Sequence, residues 1–469
     1  MKGVGNMANW EAYLEDHQEE IDQDLIQLLS IPSVSTSPQH TADVQRAAQW
    51  VAARLGQAGG EHVQILETGG HPAVYGDWLH AEGELTVLIY GHYDVQPAEP
   101  LELWTTDPFM PRVEGDLIFA RGASDMKGNL LLPIAACEAL LKTEGKLPVN
   151  VKFLFEGEEE IGSPSLAHFM TNHKDLLACD MMASADSGQL SLDEPAIEVG
   201  LRGLCAVQVD VRSSGVDLHS GMAGGLVHNA AQALVEILAS LKGLDGRVTV
   251  TGFYNEVADI TPEERQMMDR FPVTDTQLKT MFQVDELFGE PGFTPVERNW
   301  VRPTLDINGL WAGFQGTGVK TVIPAEAHAK ITCRLVPNQT PEGVLDKVKD
   351  YILKHAPSQV KVSFTDLPGQ GVPYRIPSQH LGLTAVRQAL LQVYGVEPLE
   401  IRVGASVPVT AMALQILGVY TVPLGMSLDD EHMHAPDEFY RISNFHRGQV
   451  AYVLFLTELV GKQQFLEKR

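Results

Sequence analysis

The sequence predicts an α/β protein in which a mostly parallel-sheet domain is interrupted by an inserted α+β domain. Three observations predict it. Apolar, β-rich runs alternate with helical segments as far as Ala185, the pattern of a layered sheet. Near Gly200 the texture changes to strands of alternating apolar and polar residues, as sheets with one open face show. Near Ser378 the first texture returns. The chain of 469 residues also exceeds what one hydrophobic core supports. The expected division is residues 1–199 and 376–469 for the discontinuous α/β domain and 200–375 for the insertion.

The elements follow in order. Trp10 to Leu29 has the periodicity of an amphipathic helix that stops before Pro32. Glu84–Tyr90 (ELTVLIY) is a strand, Asn129–Lys142 a helix, Val149–Phe155 (VNVKFLF) a strand, Pro164–Leu177 a helix and Met181–Ala185 a short buried strand. In the insertion, Leu204–Val211, Ala329–Val336 and Val360–Phe364 are strands, with helices at Asn229–Leu241 and Pro341–His355. Phe253 to Trp300 is polar and proline-containing, the composition of a long excursion. After Ser378 come helix Leu381–Tyr394, strand Leu399–Val403, helix Pro408–Leu417, strand Val419–Pro423 and helix Asn444–Val460.

Composition excludes several function classes. Lys and Arg total 34 against 61 Asp and Glu, a net charge of −27. A nucleic-acid binder needs a basic face for phosphate, and a peripheral membrane protein a polybasic patch. The longest strongly apolar stretch, Leu130–Leu141, is too short to span a bilayer and contains Glu138. The N-terminus turns acidic quickly and does not read as a signal peptide. Cys137, Cys179, Cys205 and Cys333 are scattered without a CxxC pair, which argues for a reduced, cytoplasmic protein.

Five short segments concentrate metal-ligand residue types. Gly91-His92-Tyr93-Asp94 follows the ELTVLIY strand, with Asp94 spaced to orient His92. Asp125 lies in RGASDMKG, where a glycine-containing loop enters a helix. Glu156-Gly-Glu158-Glu159-Glu160 ends the VNVKFLF strand, and Asp186 follows the short apolar run at Met181. His432 and His434 lie in a polar loop before the last helix, and spacing does not choose between them. Taken singly, each has a commoner reading: a hydrogen-bonded strand-end histidine, a helix N-cap, a solvated acidic face. Taken together they differ. Three apolar strands each end in a His or a carboxylate, and ligand sites of open α/β sheets collect at that edge. Adjacent carboxylates repel unless a cation intervenes or one is protonated, so Glu159 and Glu160 can divide into a metal ligand and a proton shuttle. Two histidines, several carboxylates and no cysteine suit a pair of borderline-hard divalent ions, and such a pair suits hydrolysis.

GHYDVQP (91–97), RGASDMKG (121–128), EGEEEIGS (156–163), ADSG (185–188) and HAPDE (434–438) resemble, in order, the motifs of the co-catalytic di-metal peptidases. That family includes carnosinases, cytosolic non-specific dipeptidases, glutamate carboxypeptidase, aminoacylases and desuccinylases. DLHSGMAGG (217–225), GVKTVIPAEA (318–327) and RLVPNQTPE (334–342) resemble the dipeptidase and carnosinase branch, and RVGASVPVT (402–410) continues the resemblance. It implies two divalent metal ions per subunit, zinc first, with manganese or cobalt as alternatives. His92 and Asp186 would bind one, Glu160 and His434 the other, and Asp125 would bridge them. Glu159 would be the general base acting on a metal-bridging hydroxide, with Asp94 orienting His92. The insertion would be a lid and dimerisation domain in a homodimer, with His219 holding the oxyanion, in the partner's site as is common in the family, and Arg334 the substrate carboxylate. Ser406 and Thr321 would position substrate.

Three departures from the branch stand out. Met126 follows Asp125 where a second Asp is common and resembles the desuccinylases; Val403-Gly404-Ala405-Ser406 replaces a Glu-Gly-Gly-Ser segment; and three consecutive glutamates leave the base assignment open by one position, settled on Glu159 because Ile161-Gly162 follows Glu160 as the family pattern requires. The expected function is hydrolysis of dipeptides or short peptides, without nucleic-acid or membrane partners. The alternatives are an N-acyl amino acid deacylase on the same scaffold and, more remotely, a non-catalytic binding protein.

Overall fold

Apolar β-branched segments bury both faces in one part of the chain and one face in the other, and that difference separates two units. The computed structural model describes residues 8–404 and 408–463. One compact unit holds the chain up to Val199, Ile376–Glu400 and the chain from Pro408 onward; the other holds Gly200–Arg375 and the short segment from Ile401. The principal strands are β1 (Glu61–Leu66), β2 (Ala73–Trp78), β3 (Thr86–His92), β4 (Asn150–Glu156), β5 (Met181–Ser184), β6 (Gly203–Arg212), β7 (Thr304–Ala312), β8 (Glu326–Leu335), β9 (Lys361–Asp366) and β10 (Thr421–Pro423). The principal helices are α1 (Gln18–Leu29), α2 (Thr41–Gln57), α3 (Gly128–Glu144), α4 (Ala230–Ser240), α5 (Pro341–His355), α6 (Leu381–Tyr394) and α7 (Ile442–Glu458).

The first unit is built on a sheet of order β1-β2-β4-β3-β5-β10. Strands β4, β3, β5 and β10 run parallel, and β1 and β2 join antiparallel at one edge. From Val87 to His92 every residue of β3 is buried, and so is every residue of β4 after Asn150. That explains their near-continuous apolar sequence, because parallel strands are covered on both faces. Helix α3 is buried around most of its circumference, including Pro133, and packs against α7. An α/β class with a mostly parallel sheet is what the alternation predicts.

In the second unit the sheet has the order β7-β8-β6-β9 and is antiparallel throughout. Cys205, Val207, Val209 and Val211 of β6 and Ala327, Ala329, Ile331, Cys333 and Leu335 of β8 share one buried face with Leu234 and Ile237 of α4 and Val344, Val348 and Ile352 of α5. The strand period of two sends Gln208, Asp210, Lys330 and Arg334 to the opposite face.

Some elements differ from expectation. The helix expected over Trp10–Leu29 is two, Asn9–Asp16 and α1, broken at His17. His17 leaves the helical region (φ −112°, ψ 11°), and its ring Nδ1 lies 2.8 Å from the Tyr13 carbonyl. The helix expected over Pro164–Leu177 breaks at His173 in the same way, with Nδ1 3.0 Å from the Phe169 carbonyl. The polar excursion contains short helices Pro262–Met268, Asp275–Phe282 and Pro295–Val301, each started by a threonine cap at Thr261, Thr274 or Thr294.

Candidate metal centre

Strands β3, β4 and β5 end side by side, with His92 registered opposite Glu156 and Tyr90 opposite Ser184. His92 is therefore the last residue of β3, Glu159 and Glu160 occupy the turn after β4, and Asp186 lies just beyond β5. This is the carboxyl edge of the parallel strands, where α/β sheets hold ligands. Asp125 and His434 arrive on loops, before α3 and before α7 respectively.

The loops and strand ends converge. His92 is fully buried, its Nε2 3.2 Å from Asp125 Oδ1 and 3.9 Å from Asp186 Oδ2. His434 Nε2 lies 2.8 Å from Asp125 Oδ2 and 3.3 Å from Glu160 Oε2. Two donor triads result, His92/Asp125/Asp186 and Asp125/Glu160/His434, each with ligand atoms within 4.8 Å of one another, and they share Asp125. Asp125 is not the N-cap its position also allowed: its side chain meets the two histidines, and no side chain caps α3. His432 packs edge-on against the Phe439 ring instead, at 5.5 Å between centroids.

Asp94 organises this edge. His92 Nδ1 lies 3.1 Å from its carbonyl and 3.4 Å from its carboxylate, which also accepts the backbone N–H groups of Glu159 (3.3 Å) and Glu160 (3.1 Å). One carboxylate thus sets both the imidazole and the acidic turn. Gln96, unremarked in the sequence beyond its place in GHYDVQP, donates to Glu160 Oε2 at 2.8 Å. Met126 is buried, and its sulfur accepts the His92 N–H at 3.2 Å. A Cβ on Gly91 would come within 2.7 Å of the Met126 methyl, so a larger residue there would displace the end of that side chain.

Residue chemistry supports divalent cations at this cluster. Glu160 Oε1 is buried with no hydrogen-bond partner among the described residues, and His92 Nε2, though 3.2 Å from Asp125 Oδ1, makes no hydrogen bond to it, a costly state for polar atoms unless another group satisfies them. Burial pushes the Glu159 carboxyl up to about 8; nearby His92 opposes this, and the carboxylates of Asp186, Glu160 and Asp125 add to it. Burial likewise raises Asp186 to about 6 against the pull of His92. The hydrogen bonds to Asp125 and Glu160 raise His434 to about 10. Asp125 moves down: burial resists, but its bond with His434 and the nearby His92 ring prevail. Carboxylates crowd here beyond what two imidazoles neutralise, and a pair of divalent ions supplies the missing positive charge. A third donor cluster, Glu61/His62/Asp77, lies at the β1–β2 sheet edge; it is mostly exposed and closed by a 2.7 Å His62–Asp77 bond.

In the other unit, His219 and Thr321 are neighbours. The short strands Leu218–His219 and Val322–Ile323 pair, and the Ser220 N–H donates to the Thr321 carbonyl at 3.1 Å. His219 is exposed, and its Nδ1 accepts the Gly221 N–H at 3.0 Å. The ring proton then sits on Nε2 and points away from the backbone. Arg334 lies on β8 between Leu204 of β6 and Thr304 of β7. Ser406 lies outside the described residues.

Residues 88–458 match peptidase family M20/M25/M40. The chain belongs to this family. This M20 peptidase is 32% identical to a Cys-Gly metallodipeptidase of Schizosaccharomyces pombe, over 96% of this chain and 97% of that one. It is 30% identical to the β-Ala-His dipeptidase of Rattus norvegicus, over 97% of this chain and 96% of the other. Among solved structures, an M20 family metallo-carboxypeptidase of Sulfolobus solfataricus superposes with a TM-score of 0.80 at 31% identity, covering 94% of this chain and 99% of that one. The M20 peptidase is a metal-dependent hydrolase of peptide bonds, as its dipeptidase-branch motifs imply. No helix among its described residues is long and apolar enough to cross a membrane.

Proposed function

We propose that this M20 peptidase hydrolyses dipeptides and other short peptides with a free C-terminal carboxylate. The observation that carries the proposal is the Glu159 carboxyl beside two donor triads that share Asp125. Two divalent ions, zinc first, held by His92, Asp186 and Asp125 and by Asp125, Glu160 and His434, supply Lewis acidity and a readily ionised water. Glu159 takes the proton of the attacking water and returns it to the leaving amine. Asp94 keeps the His92 ring and the Glu159–Glu160 turn in place. His219, with its proton on Nε2, donates to the developing oxyanion. Arg334 pairs with the substrate carboxylate through its guanidinium fork, and Thr321 and Ser406 position the peptide.

Rates on a panel of dipeptides and N-acyl amino acids, measured after chelation and after add-back of zinc, manganese or cobalt, test the proposal. Dipeptide hydrolysis restored by one of these ions is expected. Faster turnover of the N-acyl panel would replace it with the deacylase reading, which the Met126 departure favours.

We also place the protein in the cytoplasm as a homodimer. Cys205 and Cys333 face each other across β6 and β8 as free thiols, a state that a reducing compartment preserves. If His219 serves the partner's site, inactive His219→Ala and Glu159→Gln proteins regain activity when their subunits are exchanged. Mixed dimers that stay inactive count against the trans role.

A further inference from the structure

HAPDE ends in Glu438, a residue with no role in the chemistry above. Its side chain is almost fully buried. One oxygen accepts Arg121 Nη1 at 2.6 Å and the Gly122 N–H at 2.8 Å; the other accepts the N–H groups of Ser124 and Asp125, each at 3.0 Å. Four residues of the Asp125 loop are thus anchored on one carboxylate, and that carboxylate comes from the loop that carries His434. The Glu438 carbonyl also accepts the Ala120 N–H at 3.0 Å, so side chain and backbone hold the two loops together.

Glu431, at the other end of the His434 loop, makes a parallel connection. Its Oε2 accepts the Ser124 hydroxyl at 2.6 Å, and its Oε1 accepts Arg441 Nη1 at 3.0 Å. The Asp125 loop needs such external anchors. Asp125 has φ −117° and ψ 96°, outside the helical region, so α3 does not hold its N–H. Gly122 has φ +82°, and a Cβ there would come within 2.4 Å of Val95.

We infer that Glu438 is the positioning residue of the metal centre: by gripping the Asp125 loop from the His434 loop, it fixes the shared carboxylate relative to both donor triads. This rests on the two-ion reading given above. Hydrogen-bond partners that orient metal ligands at one remove are worth about 10–100-fold in metal affinity. Glutamine has the same shape as glutamate but only one carbonyl oxygen. In Glu438→Gln the amide NH2 therefore faces one of the two donor pairs, and that part of the loop is released.

The test is competitive titration of chelated protein with Zn²⁺ or Mn²⁺ against a chromogenic chelator. Wild-type protein is compared with Glu438→Gln, Glu438→Asp and Glu138→Gln. Glu138 joins Arg54 in a buried ion pair away from the metal residues, so Glu138→Gln reports purely structural damage. The expected result is about 10–100-fold weaker ion binding in Glu438→Gln. Glu438→Asp keeps the charge but withdraws it by one methylene, and should fall between. Glu138→Gln should lower Tm and leave ion affinity unchanged. If Glu438→Gln fails to fold, as judged by circular dichroism, Glu438→Asp carries the test. Wild-type affinity in the folded Glu438 variants overturns the inference and leaves the metal reading standing. Wild-type protein that takes up no ion overturns the metal reading, and the inference with it.

Discussion

At the scale of single residues, Glu159 has the sharpest expectation. It stands beside both triads, and burial raises its carboxyl in the ion-free protein; its place there suits a group that takes and returns a proton. Replacing it with glutamine keeps its size and removes its basicity. Glu159→Gln should lower kcat by about 10²–10⁴-fold, while metal content measured by mass spectrometry stays at the wild-type level. Turnover at the wild-type rate would remove Glu159 from the mechanism. Much of this constellation was legible in sequence because His92, Glu160 and Asp186 each follow an apolar run. Spacing did not choose between His432 and His434, since that depends on where the loop turns; the HAPDE resemblance did, and of the two, both with positive φ, His434 is the one that faces Asp125. The role of Glu438 was not legible. That residue lies in the HAPDE segment, but three of its four donors are backbone N–H groups, which impose no residue type, so the sequence does not show what it holds.

At the scale of elements, strong apolar periodicity predicted β3, β4, β6 and α4 closely, and weaker signals failed for identifiable reasons. Strand β1 is an exposed edge with polar sequence (EHVQIL), and β7 contains Asn308-Gly309 at a register shift. Neither offers the alternation that marks a half-buried strand. Between helices, Arg54 of α2 meets Asp24 of α1 and Glu138 of α3. Its side chain is only 7% exposed, against 24% and 14% for its partners. Removing one partner of such a network leaves the others buried and unpaired. Arg54→Ala should therefore cost about 3–5 kcal/mol of stability, read as a shift of the denaturant midpoint at unchanged slope. A shift under about 1 kcal/mol would show the pair to behave like a solvent-screened one.

At the scale of the whole molecule, the net charge of −27 hides a local exception, a cluster in which Glu159 and Asp186 keep their protons to higher pH than free carboxylates when no metal is bound. In ion-free protein, Glu159 is raised from 4.5 to about 8, Asp186 from 3.8 to about 6 and His434 from 6.5 to about 10. Each raised value means that the folded protein binds the proton more tightly than the unfolded chain does. Each contribution is therefore complete below the unfolded pKa and lost as pH rises through the folded one. Asp125 has the opposite sign, but its window lies below 3.8. Lys127, pushed down to about 7 by burial, also runs the other way, above neutrality. Divalent ions displace the protons of the first three groups, so binding strengthens as those protons become easier to lose. The gain in Tm on adding zinc or manganese to chelated protein should then grow between pH 5.5 and pH 8, following the ligand-linkage relation. Taking the difference with and without ion at each pH removes the contributions of the acidic surface and of groups that do not sense the ion. Scanning fluorimetry in matched buffers measures it. A gain that stays flat or shrinks as pH rises would mean that the ions do not bind where these protons sit, and would move the metal centre away from the cluster around Asp125.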